Sequence, residues 1–416
     1  MTDYFIINGG KKLEGEINIG VAKNAALKIL AASVLSSEPI KFAKLPEIED
    51  ISRMKELLFD LGAKFLPDNN LDSSKIKKTN LNYDIASRFR ASIVLTGPLL
   101  AKFGSVSFPH PGGCTLGKRP IDFFIEGFKV LGAKVKRNGD IFTVLAKKLV
   151  GNKFVFPVVS VTGTENLMMA ATLAAGKTIL KNAACEPEIE NLAQFLNSLG
   201  AKISGAGTSK IEIEGVKNIN GGSWNGIPDR IEAGTFIILA VASRGNIKIK
   251  NCNPDHLEVL LSLLQKAGAN LEVGVDYVIV KPVRNLKAID VKTREYPGLA
   301  TDLQAPLTVL LTQASGISLV HETIYDGRLF YTDILNQMGA DIIMADPHRV
   351  IVRGPSKLRG KKIHSPDIRA GMALIIAAII SQGQSIIDNI YQIDRGYEKI
   401  EKRLQSLGAD IKRVKS

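Results

Sequence analysis

The chain has 416 residues, more than one ordinary hydrophobic core accommodates, so two domains are expected. Its hydrophobic share of 45% and charged share of 23% are typical of a soluble globular protein. The longest apolar run, Met372 to Ile380, is too short to cross a bilayer, and Met1-Thr2-Asp3-Tyr4 does not begin a secretory signal. No membrane insertion is therefore expected.

The formal net charge of +13 points to an anionic partner, which is a nucleic acid, a membrane surface or a small polyanion. Lysines are spread along the chain, as at Lys147-Lys148 and Lys361-Lys362, and only 6% of residues are aromatic. Nucleic-acid surfaces combine clustered basic residues with aromatic ones, so no nucleic-acid partner is expected. Part of the surplus charge is typical of an ordinary solvated surface.

A short signature recurs about every 70 residues, which indicates an internal repeat. In each copy a glycine follows an amphipathic segment such as Met54-Leu57-Leu58-Leu61. This glycine is expected to end a helix in the left-handed conformation, and a short strand such as Lys210–Glu214 follows. The six copies are Leu61-Gly62-Ala63-Lys64, Leu131-Gly132-Ala133-Lys134, Leu199-Gly200-Ala201-Lys202, Ala267-Gly268-Ala269-Asn270, Met338-Gly339-Ala340-Asp341 and Leu407-Gly408-Ala409-Asp410.

Helices that are apolar on all sides precede the signatures, and such helices are buried. Each unit is therefore predicted to be of βαβαββ type, with a buried helix, an exposed helix and several strands. Six units in this length predict an α/β fold with two domains of three units each. The buried segments are Leu167 to Ala175, Phe236 to Ala242, Leu307 to Leu311 and Met372 to Ile380.

The three cysteines, Cys114, Cys185 and Cys252, are widely spaced and odd in number. This usage argues against a disulfide framework and favours a reducing cytoplasm. The five histidines show no metal-ligand spacing, and no dinucleotide-binding glycine pattern follows a strand. Neither a metal nor another cofactor is expected.

The segment from Pro111 to Pro120 holds three glycines and two prolines, which favours a surface loop. Cys114 lies in the middle of this loop, shortly before the cations Lys118 and Arg119. Nearby cations stabilise a thiolate, so the loop suits acid chemistry on an anion, although a small apolar filler in a turn is the alternative. The loop nearly matches a phosphate-binding P-loop, but Arg119 stands where that motif needs Ser or Thr.

Charged residues stand at the predicted starts of the buried helices, where the helix dipole attracts anions. The acids among them, such as Asp302 and Asp367, are also typical of ordinary helix caps. A cation there opposes the dipole, so a bound anion explains it better. The residues at these starts are Lys23, Asn24, Arg88, Arg90, Glu165, Asn166, Asp229, Arg230, Glu232, Asp302, Asp367 and Arg369.

Seven motifs spread over the chain form a specific combination. They are Ala22-Lys23-Asn24-Ala25-Ala26, Arg90-Ala91-Ser92-Ile93, the loop from Pro111 to Pro120, Thr162-Gly163-Thr164-Glu165-Asn166, Pro228-Asp229-Arg230-Ile231-Glu232, Thr301-Asp302-Leu303-Gln304-Ala305 and Ile393-Asp394-Arg395-Gly396-Tyr397-Glu398. With them, the chain from Ile7 to Lys415 resembles the UDP-N-acetylglucosamine enolpyruvyl transferase family of the EPSP synthase superfamily.

The resemblance implies two inside-out α/β barrel domains that close over substrate. The N-terminal domain is expected to span residues 21–228 and to carry the mobile loop around Cys114. The second domain is expected to be discontinuous, to combine residues 1–20 with 229–416, and to carry the catalytic base.

The resemblance also implies a reaction. The enolpyruvyl group of phosphoenolpyruvate would be transferred to the 3-hydroxyl of UDP-N-acetylglucosamine by addition and elimination, with release of phosphate. This would be the first committed step of peptidoglycan precursor synthesis. The expected partners are these two small molecules, and no cofactor is implied.

Residue roles follow from the same resemblance. Cys114 is expected to protonate phosphoenolpyruvate or to add to its C2, and Asp302 to act as the base near the sugar 3-hydroxyl. Lys23 and Arg395 complete the expected catalytic set. The expected phosphoenolpyruvate contacts are Lys23, Asn24, Arg119, Arg328, Arg369 and Arg395. The expected UDP-sugar contacts are Asn24, Arg90, Pro120, Ile121, Asp122, Phe123, Ser160, Val161, Asp302 and Ile324.

Two positions near Lys23 depart from the family pattern. Gly20-Val21-Ala22 stands where the family usually has Ser-Gly-Ala, and Lys28 stands where proline is common. Both changes would act on the position of Lys23 or on the hinge beside it.

Three other interpretations stay open at this point. The nearest is an enolpyruvyl transferase of the same architecture that acts on shikimate 3-phosphate and needs no loop cysteine. A repeat-built protein that binds RNA or processes RNA ends would also be basic. A catalytically silent paralogue would keep the fold without the reaction.

Overall fold

The computed structural model describes residues 3–112 and 120–415. They divide into two compact units, the first made of residues 3–22 and 228–415 and the second of residues 23–112 and 120–227. The domain boundaries given above stay a prediction.

Helices alternate with short strands throughout the described chain. The helices are α1 (Lys23–Ala32), α2 (Glu49–Leu61), α3 (Tyr83–Ala86), α4 (Thr96–Phe103), α5 (Asp122–Val130), α6 (Val161–Thr172), α7 (Pro187–Ser198), α8 (Arg230–Ala242), α9 (Glu258–Lys266), α10 (Gln304–Leu311), α11 (Thr332–Gln337), α12 (Ile368–Ile380), α13 (Tyr391–Asp394) and α14 (Ile400–Ser406). Short 3₁₀ helices cover Ser33–Leu35, Arg90–Leu95, Pro254–Leu257 and Thr301–Leu303.

The strands are mostly three to six residues long. They are β1 (Tyr4–Asn8), β2 (Glu14–Asn18), β3 (Ile40–Phe42), β4 (Lys64–Leu66), β5 (Asn70–Asp72), β6 (Ser105–Pro109), β7 (Lys134–Asn138), β8 (Ile141–Leu145), β9 (Lys153–Val155), β10 (Lys177–Lys181), β11 (Lys202–Ser204), β12 (Lys210–Glu214), β13 (Gly222–Trp224), β14 (Asn246–Lys250), β15 (Asn270–Val273), β16 (Tyr277–Lys281), β17 (Val291–Lys292), β18 (Gly316–His321), β19 (Asp341–Asp346), β20 (Arg349–Gly354), β21 (Lys362–His364), β22 (Gln384–Asp388) and β23 (Asp410–Val414).

In the described part of the chain, three sheets belong to each unit. Those of the first unit have the strand orders β21-β22-β1-β23, β15-β16-β14-β2 and β17-β18-β20-β19. Those of the second have the orders β11-β12-β10-β9, β13-β3-β5-β4 and β6-β8-β7. Each four-stranded sheet combines one parallel pair with antiparallel neighbours, as where β21 runs parallel to β22 and β1 antiparallel to β22.

The first unit is built around three apolar helices. All thirteen residues of α8 are buried, as are all eight of α10 and eleven of the thirteen in α12. These helices pack on one another, which removes their apolar surface from water and stabilises the unit by the hydrophobic effect. Their ends are therefore the natural places for polar groups.

The predicted helix stops are confirmed at all six signatures. Gly62, Gly132, Gly200, Gly268, Gly339 and Gly408 each have a φ between 92° and 107°. A side chain is strained in this conformation, which explains why glycine recurs there.

In the second unit, α4 and α6 approach closely through a polar contact. The buried amide oxygen of Asn166 accepts hydrogen bonds from the Thr96 hydroxyl (2.8 Å) and the Gly97 backbone N–H (2.9 Å). A Cβ atom at Gly97 would overlap the backbone carbonyl of Asn166. Glu165 and Asn166 were expected at a helix start, but α6 begins earlier, because Ser160 caps it by accepting from the Gly163 N–H (3.1 Å).

The described chain contains no helix with the length and apolar character needed to cross a bilayer.

We expect Asn166→Leu to lower the free energy of unfolding by about 2–3 kcal/mol, because the Gly97 N–H would stay buried without an acceptor. Thr172→Val is the control, since the Thr172 hydroxyl donates only within its own helix, to the Met168 carbonyl (2.9 Å). Its cost should stay below about 1 kcal/mol. Urea unfolding measures both, and equal losses would contradict the proposed role of the Asn166 amide.

Candidate active site

The first unit places Asp302 in a 3₁₀ turn directly before α10. Its carboxylate accepts hydrogen bonds from Arg328 Nη1 at Oδ1 (2.9 Å) and from Arg369 Nη2 at Oδ2 (3.0 Å). Two guanidinium partners therefore fix the orientation of the carboxylate. The side chain of Asp302 keeps 24% exposure, whereas the two arginine side chains keep only 5% and 7%, so the carboxylate is the accessible part of this group.

Arg369 lies in the first turn of α12, where the helix dipole disfavours a cation. Asp367 caps the helix by accepting from the Arg369 and Ala370 N–H groups (2.8 and 3.0 Å). Burial acts to lower the pKa of the Arg369 guanidinium, but Asp302 and Tyr397 raise it, and the net direction is upward. Arg369 is therefore a permanent buried cation that Asp302 neutralises in part.

Tyr397 fixes Arg369 from the other side. Its hydroxyl accepts from Arg369 Nη1 (3.1 Å) and lies 3.2 Å from the hydroxyl of Thr235 in α8. The Arg369 guanidinium also lies 5.6 Å from the centre of the Tyr397 ring. Burial raises the pKa of the Tyr397 hydroxyl, although Arg369 opposes the shift. The starts of α8, α10 and α12 thus meet in one polar group.

Arg328 approaches Asp302 from the segment after β18. Its Nη1 atom also donates to the Thr301 hydroxyl (2.9 Å), and its guanidinium lies 5.0 Å from the centre of the Tyr325 ring. Burial lowers the pKa of Arg328, but the Asp302 carboxylate raises it, and the net direction is upward.

The other predicted residues of this unit are Arg395 and Ile324. Arg395 is 7% exposed and donates from Nη1 to Gln392 Oε1 (2.9 Å). Ile324 is half-buried, and its backbone N–H donates to Glu322 Oε1 (2.8 Å).

In the second unit, Lys23 is the first residue of α1 and is almost completely buried. Its Nζ atom lies 2.9 Å from Asp50 Oδ2, in the first turn of α2. Asp50 offsets the unfavourable interaction of this cation with the helix dipole. The predicted position of Lys23 at a helix start is confirmed, and its role in binding an anion stays a prediction.

The remaining predicted residues of the second unit also lie at or near the starts of helices. Asn24 and Arg90 are half-buried, in α1 and in the 3₁₀ helix before α4. Pro120 is exposed and Ile121 buried ahead of α5, whereas Asp122 and Phe123 open that helix. Ser160 and Val161 are half-buried at the start of α6.

Cys114 and Arg119, which the sequence assigns to acid chemistry and phosphate binding, lie outside the described residues. The structure brings Asp302, Arg328 and Arg369 into direct contact. Sequence analysis did not assign roles to Asp50, Thr301, Glu322 or Tyr397. Thr301 and Tyr397 stand inside motifs already singled out, which could have drawn attention to them.

Lys28, one of the departures from the family pattern, has a buried partner. Its Nζ atom lies 3.4 Å from Oε1 of Glu165, which is fully buried. Within the described chain neither oxygen of Glu165 has a hydrogen-bond partner. Burial raises the pKa of the Glu165 carboxyl to about 7. The Lys28 charge opposes this shift, whereas the nearby Glu186 and Glu188 add to it.

No group of three or more His, Cys, Asp or Glu side chains among residues 3–112 and 120–415 is arranged to hold a metal ion.

Comparison with solved structures defines the class of fold. The chain matches the enolpyruvyl transferase NikO from Streptomyces tendae with a TM-score of 0.89 at 22% identity, covering 100% of this chain and 99% of that one. It also matches EPSP synthase from Acinetobacter baumannii with a TM-score of 0.74 at 17% identity, covering 100% of both chains. The predicted α/β class is confirmed, and the fold is that of enolpyruvyl transferases.

The family model described as EPSP synthase (3-phosphoshikimate 1-carboxyvinyltransferase) matches residues 7–404, and the chain belongs to this family. A UDP-N-acetylglucosamine 1-carboxyvinyltransferase of Coxiella burnetii is 43% identical over 420 residues, covering 100% of this chain and 96% of the relative. A UDP-N-acetylglucosamine 1-carboxyvinyltransferase of Desulforapulum autotrophicum is 42% identical over 416 residues, covering 99% of this chain and 100% of the relative.

The raised pKa of Glu165 predicts a pH-dependent stability. Between pH 4.5 and about 7 the folded state binds the Glu165 proton more tightly than the unfolded state does. The free energy of unfolding should therefore fall as pH rises through this window, by at most about 3 kcal/mol. Urea unfolding at pH 5 and pH 8 measures this effect. The wild type should lose free energy of unfolding between the two pH values, and Glu165→Gln should not.

The pH dependence of stability is also measured for Lys28→Met. Without the Lys28 charge the pKa of Glu165 should rise further, and the loss of stability should extend to higher pH. An identical pH dependence in the wild type and Glu165→Gln would show that Glu165 does not titrate in this range.

Proposed function

We propose that this chain transfers the enolpyruvyl group of phosphoenolpyruvate to the 3-hydroxyl of UDP-N-acetylglucosamine and releases phosphate. The observation that carries the proposal is the accessible Asp302 carboxylate held between two buried guanidinium groups. It occurs in a chain that matches relatives named for this reaction along its whole length.

Binding of phosphoenolpyruvate follows from the cations. Lys23, Arg119 and Arg395 bind the phosphate, Asn24 contributes a polar contact, and Arg328 and Arg369 add positive charge for the carboxylate. Lys23 and Arg395 are 8% and 7% exposed, so their charges act in a medium that screens less than water. Such preorganised cations stabilise the charge that develops on the departing phosphate.

The acceptor is activated by Asp302. Protonation of C3 of phosphoenolpyruvate gives C2 cationic character, and the sugar oxygen attacks C2. The hydroxyl proton becomes acidic as this C–O bond forms, so the Asp302 carboxylate can accept it. The resulting tetrahedral ketal loses the C3 proton and phosphate, with cleavage of the C–O bond, to give the enolpyruvyl ether.

Cys114 supplies the proton to C3, or its thiol adds across C2=C3, with sulfur bonding to C2 and the proton to C3. That addition gives a phospholactoyl thioether, whose C–S bond breaks again before the sugar oxygen attacks C2. The UDP-sugar is bound by Arg90, the segment Pro120 to Phe123, Ser160, Val161 and Ile324, together with Asn24 and Asp302. Ser160 and Val161 lie at the start of α6, which suits the diphosphate.

We further propose that the chain forms two inside-out α/β barrel domains of three repeats each, over residues 21–228 and over 1–20 with 229–416. The three sheets in each unit support this. The reaction would be the first committed step of peptidoglycan precursor synthesis, in the cytoplasm.

A phosphate-release assay with phosphoenolpyruvate tests the proposal. Release should depend on UDP-N-acetylglucosamine. Release with shikimate 3-phosphate instead would identify the alternative acceptor that the family description allows. No release with either acceptor would support a catalytically silent paralogue.

We expect Asp302→Ala and the isosteric Asp302→Asn to lower kcat by roughly 10²–10⁴-fold, because the proton acceptor is lost. Binding of UDP-N-acetylglucosamine, measured by calorimetry, should largely remain. Asp341→Asn is the control. Asp341 lies in the same unit, is exposed, and makes only a long ion pair with Arg353, at 3.8 Å. Near-normal turnover in the Asp302 variants would remove its role as base.

We expect Cys114→Ser to lose most turnover, by roughly 10²–10⁴-fold, while the thermal unfolding midpoint stays close to the wild type. A serine hydroxyl is a much weaker acid than a thiol, so the proton transfer slows. Cys185→Ser is the matched control and should keep its activity. A Cys114→Ser variant with wild-type kcat would contradict the assignment.

A further inference from the structure

Glu322 is a fully buried carboxylate that directly follows β18 and has no role in the reaction described above. Its Oε1 atom accepts from the backbone N–H groups of Ile324 (2.8 Å) and Tyr325 (3.2 Å). Its Oε2 atom accepts from the Thr301 hydroxyl (2.8 Å). A buried carboxylate is costly, so three directed hydrogen bonds indicate a defined orientation.

The hydroxyl of Thr301 connects Glu322 to the candidate site. Because this hydroxyl donates to Glu322, it presents a lone pair to Arg328 Nη1, which donates to it at 2.9 Å. The same Nη1 atom lies 2.9 Å from Asp302 Oδ1, so both of its hydrogens are used. The orientation of Glu322 therefore determines that of Thr301, and through it that of Arg328 beside Asp302.

Glu322 also holds the segment that carries Ile324 and Tyr325. The Tyr325 ring lies 5.0 Å from the Arg328 guanidinium and limits its movement from another side. One buried carboxylate thus connects the turn before α10 with the segment after β18.

We propose that Glu322 is a positioning residue for the reaction, which acts through Thr301 and Arg328 to fix the Asp302 carboxylate. The inference rests on the proposed function. Glu322 does not touch the reacting atoms. Because Arg328 is also a proposed contact of phosphoenolpyruvate, loss of Glu322 should lower kcat and weaken the binding of this substrate.

The test is a double-mutant cycle on phosphate release by the full chain. Glu322→Gln keeps the shape and the Oε1 acceptor but turns an N–H toward the Thr301 hydroxyl, which then loses its acceptor. We expect kcat to fall about tenfold or more, with a rise in KM for phosphoenolpyruvate, because Arg328 is a proposed contact of this substrate. In a Thr301→Val background, Glu322→Gln should lower kcat by less than about twofold, because the connecting hydroxyl is already absent.

Two further variants complete the design. Thr301→Ser keeps the hydroxyl and should retain kcat within about twofold. Glu272→Gln removes a carboxylate from the same unit that pairs with Lys281 (2.9 Å) and should leave kcat unchanged. The inference would be overturned if the fold-loss in kcat of the double mutant equalled the product of the two single-mutant losses. It would also be overturned if Glu322→Gln lowered stability but left kcat unchanged.

If Glu322→Gln fails to fold, the kcat of Thr301→Val is compared with that of Thr301→Ser. The valine variant should have the lower kcat, and a wild-type kcat in the valine variant would overturn the proposal. A wild type that releases no phosphate would instead overturn the proposed function, and this inference with it.

Discussion

Two guanidinium groups, each more than nine-tenths buried, face the carboxylate of Asp302. Removing two cations from water costs several kcal/mol each unless an anion and further hydrogen bonds compensate. Asp302 is the carboxylate in direct contact with both guanidinium groups, and Asp367 and Asp229 act on Arg328 and Arg369 at longer range. Two buried guanidinium groups beside an accessible carboxylate suit an anionic substrate such as phosphoenolpyruvate.

The apolar helices determine where such a group can be built. Helices α8, α10 and α12 bury almost every side chain, so polar residues are confined to their ends. Thr235, Asp302 and Arg369 come from the beginnings of these helices, and Tyr397 joins the first to the last. The core that stabilises the unit therefore also positions this polar group.

The local features of the fold could be predicted from the sequence, because each depends on neighbouring residues. The glycine stops and the apolar helices are of this kind, and both are present in the structure. The contacts of the site could not be predicted, because Asp302 is separated from Arg328 by 26 positions and from Arg369 by 67. The departure at Lys28 was evident, but its partner Glu165 comes from another helix. The assigned roles stay predictions.

Phosphoenolpyruvate that carries ¹⁸O in the C–O–P bridge gives the most direct measurement of the central claim. The wild type is incubated with this substrate and UDP-N-acetylglucosamine, and the released phosphate is analysed by ³¹P NMR. Addition to C2 followed by elimination breaks the C–O bond, so the account predicts that the label appears in the phosphate and that an enolpyruvyl ether forms. Unlabelled phosphate accompanied by free pyruvate would show P–O cleavage and contradict the account.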